Sequence, residues 1–147
     1  QNGHFPSQEC IMQLNPYLTF HGQCEAAFKF YEKCLGGKIV MSMTFAESPM
    51  AEQVPPNWRE KINHATFALG TQVLGGSDVP PDRYQKPQGI SVSINVDAPE
   101  EADRIFKRLA ENGTVQMPIQ ETFWAQRFGM LVDQYGTPWM INCGKPA

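Results

Sequence analysis

Residues 24–37 read Cys24-Glu25-Ala26-Ala27-Phe28-Lys29-Phe30-Tyr31-Glu32-Lys33-Cys34-Leu35-Gly36-Gly37. Cys24, Ala27, Phe28, Tyr31, Cys34 and Leu35 recur at helical spacing, and Glu25, Lys29, Glu32 and Lys33 take the other face. This is an amphipathic helix laid on something apolar. Gly36-Gly37 ends it, because glycine reaches the left-handed conformation that a helix C-terminus favours. The same pattern returns 76 positions later. Glu25 falls on Glu101, Ala26 on Ala102, Phe30 on Phe106, Gly37 on Gly113 and Met41 on Met117, with Leu18 on Ile94 and Ile39 on Val115. A fixed offset that keeps a helix and its glycine stop is the mark of an internal repeat.

Outward from the two helices, each half reads strand, helix, then three strands. In the first half the strands are 14–20, 38–45, 64–69 and 72–78, with Gly70-Thr71 as a hairpin turn. Residues 46–61, with Pro49, Pro55, Pro56 and Trp58, form a long excursion with one helical turn at 57–61, a lid or partner-facing loop. Residues 79–89 hold Pro80, Pro81 and Pro87 and read as a linker. In the second half the strands are 90–96 and 114–120, and 127–133 and 137–143 form a closing hairpin. Asp97 and Glu100 suit a capping box before the second helix. The expected architecture is α+β. Two β-α-β-β-β modules, 12–78 and 90–143, form curved sheets around a cleft with the helices on the outer face. Residues 1–11 show no periodicity and read as a flexible arm or a non-native extension.

Composition narrows the partners. The net charge of −3, with no basic run, argues against nucleic acid. No apolar run is long enough to span a bilayer. Cys10, Cys24, Cys34 and Cys143 match neither a zinc pattern nor a redox Cys-x-x-Cys, and read as free thiols of a cytoplasmic protein.

The repeat, together with Pro16-Tyr17-Leu18-Thr19-Phe20, Leu35-Gly36-Gly37, His64-Ala65, Ser77-Asp78, Glu121-Thr122-Phe123-Trp124-Ala125, Phe128-Gly129 and Trp139-Met140-Ile141-Asn142, resembles the vicinal oxygen chelate superfamily. That group includes glyoxalase I, extradiol dioxygenases and bleomycin and fosfomycin resistance proteins. The closer resemblance is to its PhnB-like branch, also labelled 3-demethylubiquinone methyltransferase-like, and it covers residues 12–143. It implies a small-molecule cleft, a homodimer and, in the enzymes, a divalent metal. The metal positions implied by the resemblance fall at Asn15, Leu74 or Gly76, Ser91 and Ile141. None is a strong ligand, so no metal residue and no cofactor is expected. The methyltransferase label does not suit the chain, which lacks a glycine-rich loop for a nucleotide-bearing cofactor.

Of the three histidines, His4 lies in the arm and His21 at a surface turn. His64 begins a strand and is the candidate acid–base group, with Asp78 as its charged companion. Each has an alternative reading: His64 bonded to neighbouring backbone, and Asp78 as a turn cap. Glu121, beside Phe123 and Trp124, is a third candidate acid or base, or the partner of Arg127. Tyr17, Trp124, Phe128 and Trp139 are candidate pocket-lining aromatics, Trp139 and Ile141 being counted onto the cleft face. Two functions compete. One is metal-independent binding of a small, partly apolar molecule. The other is a divalent-metal-dependent lyase, isomerase or dioxygenase.

Overall fold

The computed structural model describes residues 12–146. Residues 1–11, read from the sequence as an arm or extension and carrying His4 and Cys10, lie outside the described residues. Module 1 comprises β1 (Tyr17–Phe20), α1 (Cys24–Leu35), β2 (Lys38–Thr44), β3 (Ile62–Leu69) and β4 (Gln72–Asp78). Module 2 comprises β5 (Val92–Val96), α2 (Pro99–Leu109), β6 (Thr114–Gln120), β7 (Ala125–Val132) and β8 (Pro138–Gly144). The fold is α+β, with two curved four-stranded sheets ordered β1-β4-β3-β2 and β5-β8-β7-β6. In each, the first strand runs parallel to the fourth and the other pairs are antiparallel.

The repeat is kept in space. β2 and β6 begin 76 residues apart, as the sequence pattern requires. The offset then falls to 63 at β3 and β7, because the 17-residue excursion 45–61 is matched by only four residues, 121–124. A longer turn between β7 and β8 restores it to 66. The excursion is closed at its base by backbone bonds from Phe45 to Lys61 and Ala46 to Arg59. It carries two 3-10 turns, Ala51–Gln53 and Pro56–Trp58, and its own small core of Phe45, Val54 and Trp58.

Each helix covers one face of its own sheet, and α1 also packs on α2, so a single core runs through both modules. Phe20, Phe28 and Phe67 from module 1 and Ile105, Leu131 and Ile141 from module 2 belong to it. At the seam Tyr31 meets Trp139 edge-on at 5.2 Å. The Tyr31 hydroxyl donates to Asp133 Oδ2 at 2.6 Å, and Trp139 Nε1 donates to the same oxygen at 2.8 Å. Asp133 Oδ1 accepts the backbone N–H groups of Tyr135 and Thr137. Its buried carboxylate is therefore met by donors from both modules, which is the condition for burying such a charge without a large penalty.

Two local expectations change. The N-cap of α2 is Ala98, and no side chain caps it. Pro99 occupies the first helical turn, where its missing N–H costs nothing, and it holds the preceding residue extended. The Asp97 capping box therefore does not form. β1 begins only at Tyr17, since Pro16 has no N–H to give the sheet.

Candidate functional site

Strand register decides which side chains reach the sheet faces that the helices leave open. On module 1, Tyr17, Gly75, Thr66 and Met41 form one row across β1, β4, β3 and β2. Met43 pairs with His64 in the next open-face row. Tyr17 lies over Gly75, where a Cβ would come within 2.6 Å of its ring, so glycine is required there. The Tyr17 hydroxyl is 3.0 Å from His64 Nδ1, and the two rings stack. His64 Nε2 lies 3.4 Å from Thr66 Oγ1. A hydroxyl, an imidazole and a second hydroxyl thus stand in line on an exposed sheet face, an arrangement able to hold and pass a proton.

On module 2, Gln120, Phe128, Asn142 and Asn95 form one row across all four strands. Met117, Met130, Met140 and Ser93 form the next. Trp124 leans edge-on against Phe128 at 5.4 Å, and Phe123 against Trp124 at 4.7 Å. Both sheets carry a register shift after the second residue of their second strand, between Ile39 and Met41 and between Val115 and Met117. These bulges turn Met41 and Met117 to the open faces. Five of the chain's seven methionines, Met41, Met43, Met117, Met130 and Met140, lie there. A hollow of about 630 Å³ on module 2 is lined by Met130, Met140, Pro138 and the linker segment 86–91. A second, of about 680 Å³, lies between the modules, with Ser93 and Asn95 on one side and Asn15 and Pro16 on the other.

Several expected residues sit elsewhere. Trp139 and Ile141 face the helices, Trp139 being 1% exposed. Trp139 reaches the edge of the hollow between the modules but serves mainly as core. The open face of β8 belongs to Pro138, Met140 and Asn142. Asp78 is no companion to His64, because it points to the opposite side of the sheet. Its carboxylate accepts the backbone N–H groups of Gly22, Cys24 and Ile62, each at 2.9 Å, and so pins the start of α1 to β3. Glu121 pairs with Lys145 at 3.5 Å on the surface, whereas Arg127 turns under the sheet to Asp103 at 3.2 Å. His21 lies tilted against the Tyr84 ring at 4.7 Å. Tyr17, Trp124 and Trp139 are therefore not gathered into one wall. Tyr17 and His64 form one cluster, Trp124 and Phe128 another, on different sheets.

Among the described residues, the positions that the resemblance implies for a metal hold no strong ligand. Leu74, Gly76 and Ile141 point into the core, and the open-face positions beside them are Gly75, Ser77, Met140 and Asn142. Among the described residues, no three His, Cys, Asp or Glu side chains converge. Oxygen-rich or imidazole-rich sets are what such ions need. Cys24 and Cys34 are buried and poorly suited as nucleophiles. Burial and then the neighbouring Asp78 charge push Cys24 up, and burial pushes Cys34 up to about 11. No helix among the described residues is long and apolar enough to cross a membrane.

The chain resembles known proteins along nearly its whole length. The profile of the family described as 3-demethylubiquinone-9 3-methyltransferase matches residues 12–142. Protein YjdN of Escherichia coli K12 is 35% identical over 142 residues, covering 91% of this chain and 97% of its own. The crystal structure of protein PA1353 from Pseudomonas aeruginosa superimposes with a TM-score of 0.84 at 43% identity, covering 92% of this chain and all of that one. A Bacillus cereus protein titled putative 3-demethylubiquinone-9 3-methyltransferase, PhnB protein, gives 0.76 at 25% identity, covering 90% of this chain and all of that one.

Proposed function

We propose that this chain, which belongs to the 3-demethylubiquinone-9 3-methyltransferase family in the PhnB-like branch of the vicinal oxygen chelate superfamily, binds a small, partly apolar molecule on its open sheet faces. The observation that carries this is the concentration of five of seven methionines on faces that the chain itself leaves uncovered. Methionine is unbranched and polarisable, so it moulds to an apolar ligand without specifying one shape. A few polar groups at fixed positions then set orientation. Tyr17 and His64 supply these on module 1. Trp124 and Phe128 supply the aromatic wall on module 2. Asp78 and Glu121 take no part in this reading, since one holds the fold together and the other is a surface ion pair.

Binding proceeds without the superfamily's metal, because the positions implied for it hold no strong ligand. Methyl transfer is no part of the proposal. The β1–α1 turn 21–23 and the β5–α2 turn 97–98 are too short to cradle a nucleotide-bearing cofactor. The partner that roofs the open faces is a second copy. Val40 and Met41 on one module, and Phe123 and Trp124 on the other, are large apolar side chains left exposed within one chain.

The test uses protein labelled at the methionine methyl groups. Adding small aromatic fragments is expected to move the methyl resonances of Met41, Met43, Met117, Met130 and Met140, and to spare Met12 and Met50. Failure of every fragment to move any of the five overturns the reading. Light scattering gives the oligomer, a dimer being expected. Calorimetric titration with Ni, Mn, Fe and Zn checks the metal, and stoichiometric tight binding would restore the lyase, isomerase or dioxygenase alternative.

A further inference from the structure

We infer that the Asn95–Asn142 pair on module 2 reads a planar amide-type edge (carboxamide, lactam, imide or ureido) on the bound molecule. This rests on the reading of the open faces as the binding surface and adds the ligand class. Asn142 Nδ2 donates to Asn95 Oδ1 at 3.0 Å. That bond uses one donor and one acceptor of the pair. The Asn142 carbonyl oxygen and the Asn95 amino group remain unused, besides the second N–H and the second lone pair of the two bonded atoms. Exchanging O and N in both side chains reverses the bond but leaves the same remainder, one free carbonyl and one free amino group. The recognition code therefore does not depend on how the amides are oriented.

A ligand satisfies this remainder only by offering a donor and an acceptor together. A carboxylate offers acceptors alone, an ammonium donors alone, and a ketone a single acceptor. The surroundings say what the rest of the ligand resembles. Phe128 is the direct neighbour of Asn142 in the same row, with Trp124 against it as an end wall. Two residues along the strands, about 7 Å away, Met130 and Met140 give a flat apolar shelf beside the hollow described above. A ring on that shelf places a substituent amide at the asparagines. No acidic or basic side chain belongs to these two rows, and Lys86 is the one charged residue lining the hollow beside them.

Benzamide, acetophenone and benzoate share size and ring and differ at the edge being read. Each is titrated into the methionine-labelled protein. Benzamide is expected to bind about tenfold tighter than either of the others, the size of the one hydrogen bond that neither of them can make. The double variant Asn95→Ala with Asn142→Leu is expected to abolish that preference, since either asparagine alone keeps both a carbonyl and an amino group. Equal affinity for benzamide and acetophenone at Met130 and Met140 overturns the amide assignment while the open-face reading stands. If no fragment moves any open-face methyl, that reading falls and this inference falls with it.

Discussion

The two modules solve the same problem differently at one place, the passage from their second strand to their third. Module 1 spends 17 residues and builds a separate small core around Trp58. Module 2 spends four and leaves Phe123 and Trp124 bare. Before that point the elements of the two modules begin 75 or 76 residues apart. The difference teaches that the β-α-β unit is the fixed scaffold, and that the connection after it is where each module is specialised. It also gives the three tryptophans three different jobs. Trp139 locks the seam, Trp58 holds a loop together, and Trp124 is presented to solvent.

Substitutions at these positions break the comparison most directly. Trp139→Ala carries the largest expected effect. It removes a buried ring and leaves Asp133 short of one donor, a loss of about 4–5 kcal/mol in chemical denaturation. Trp58→Ala is expected to cost about 2 kcal/mol or less in the same assay, because an excursion with its own core can open without the rest. Limited proteolysis should then cut within 45–61 while the sheets survive. Cleavage elsewhere first would show that the loop core is part of the main one.

Tyr31→Phe tests the seam from the other side. It removes the hydroxyl that reaches Asp133 and Thr137, at an expected cost of about 1–2 kcal/mol. Burial first, and then the Asp133 charge, hold the Tyr31 hydroxyl well above the ordinary value of 10.0. The sign follows from linkage. The folded state keeps this proton after the unfolded chain loses it, so the contribution is whole below about pH 10 and drains away above it. The Phe variant should lose that part of the alkaline slope in denaturation midpoints measured from pH 8 to 11. An unchanged slope would assign it to the other groups that burial raises, Cys24, Cys34 and Tyr84. Trp124→Ala is expected to have the smallest effect on stability, within about 0.5 kcal/mol, since its ring is 48% exposed. It should nonetheless weaken fragment binding seen at Met130 and Met140, and an unchanged affinity would remove Trp124 from the wall.

The helices, the glycine stop of α1, the succession of elements along each module and the two-module plan were legible in the sequence because they rest on local periodicity, whereas α2 is capped at Ala110 with Asn112, not Gly113, in the left-handed conformation. The facing of β8 was not. Pro138, Trp139, Met140, Ile141 and Cys143 are nearly all apolar, so alternation gives no parity until the neighbouring strand fixes it. Asp78 was misread for a related reason. Its partners are backbone N–H groups at 22, 24 and 62, and backbone donors leave no mark on composition. Asn95 and Asn142 lie 47 residues apart, and only the parallel pairing of β5 with β8 brings them together. One signal was available for the methionine rows. Met41 and Met117 sit at the repeat offset, and the bulge before each turns a packing position into a surface one.

The shared carboxylate at the seam has a consequence for how the chain folds. The donor from Tyr31 comes from 102 residues away, so the β7–β8 turn holds an incompletely satisfied buried charge until α1 has docked. Neither half can reach its final state alone. The repeat should therefore melt as one cooperative unit, with calorimetric and van't Hoff enthalpies that agree. Formation of that long-range contact should fall late on the folding path, after the slow closure of a loop that spans most of the chain.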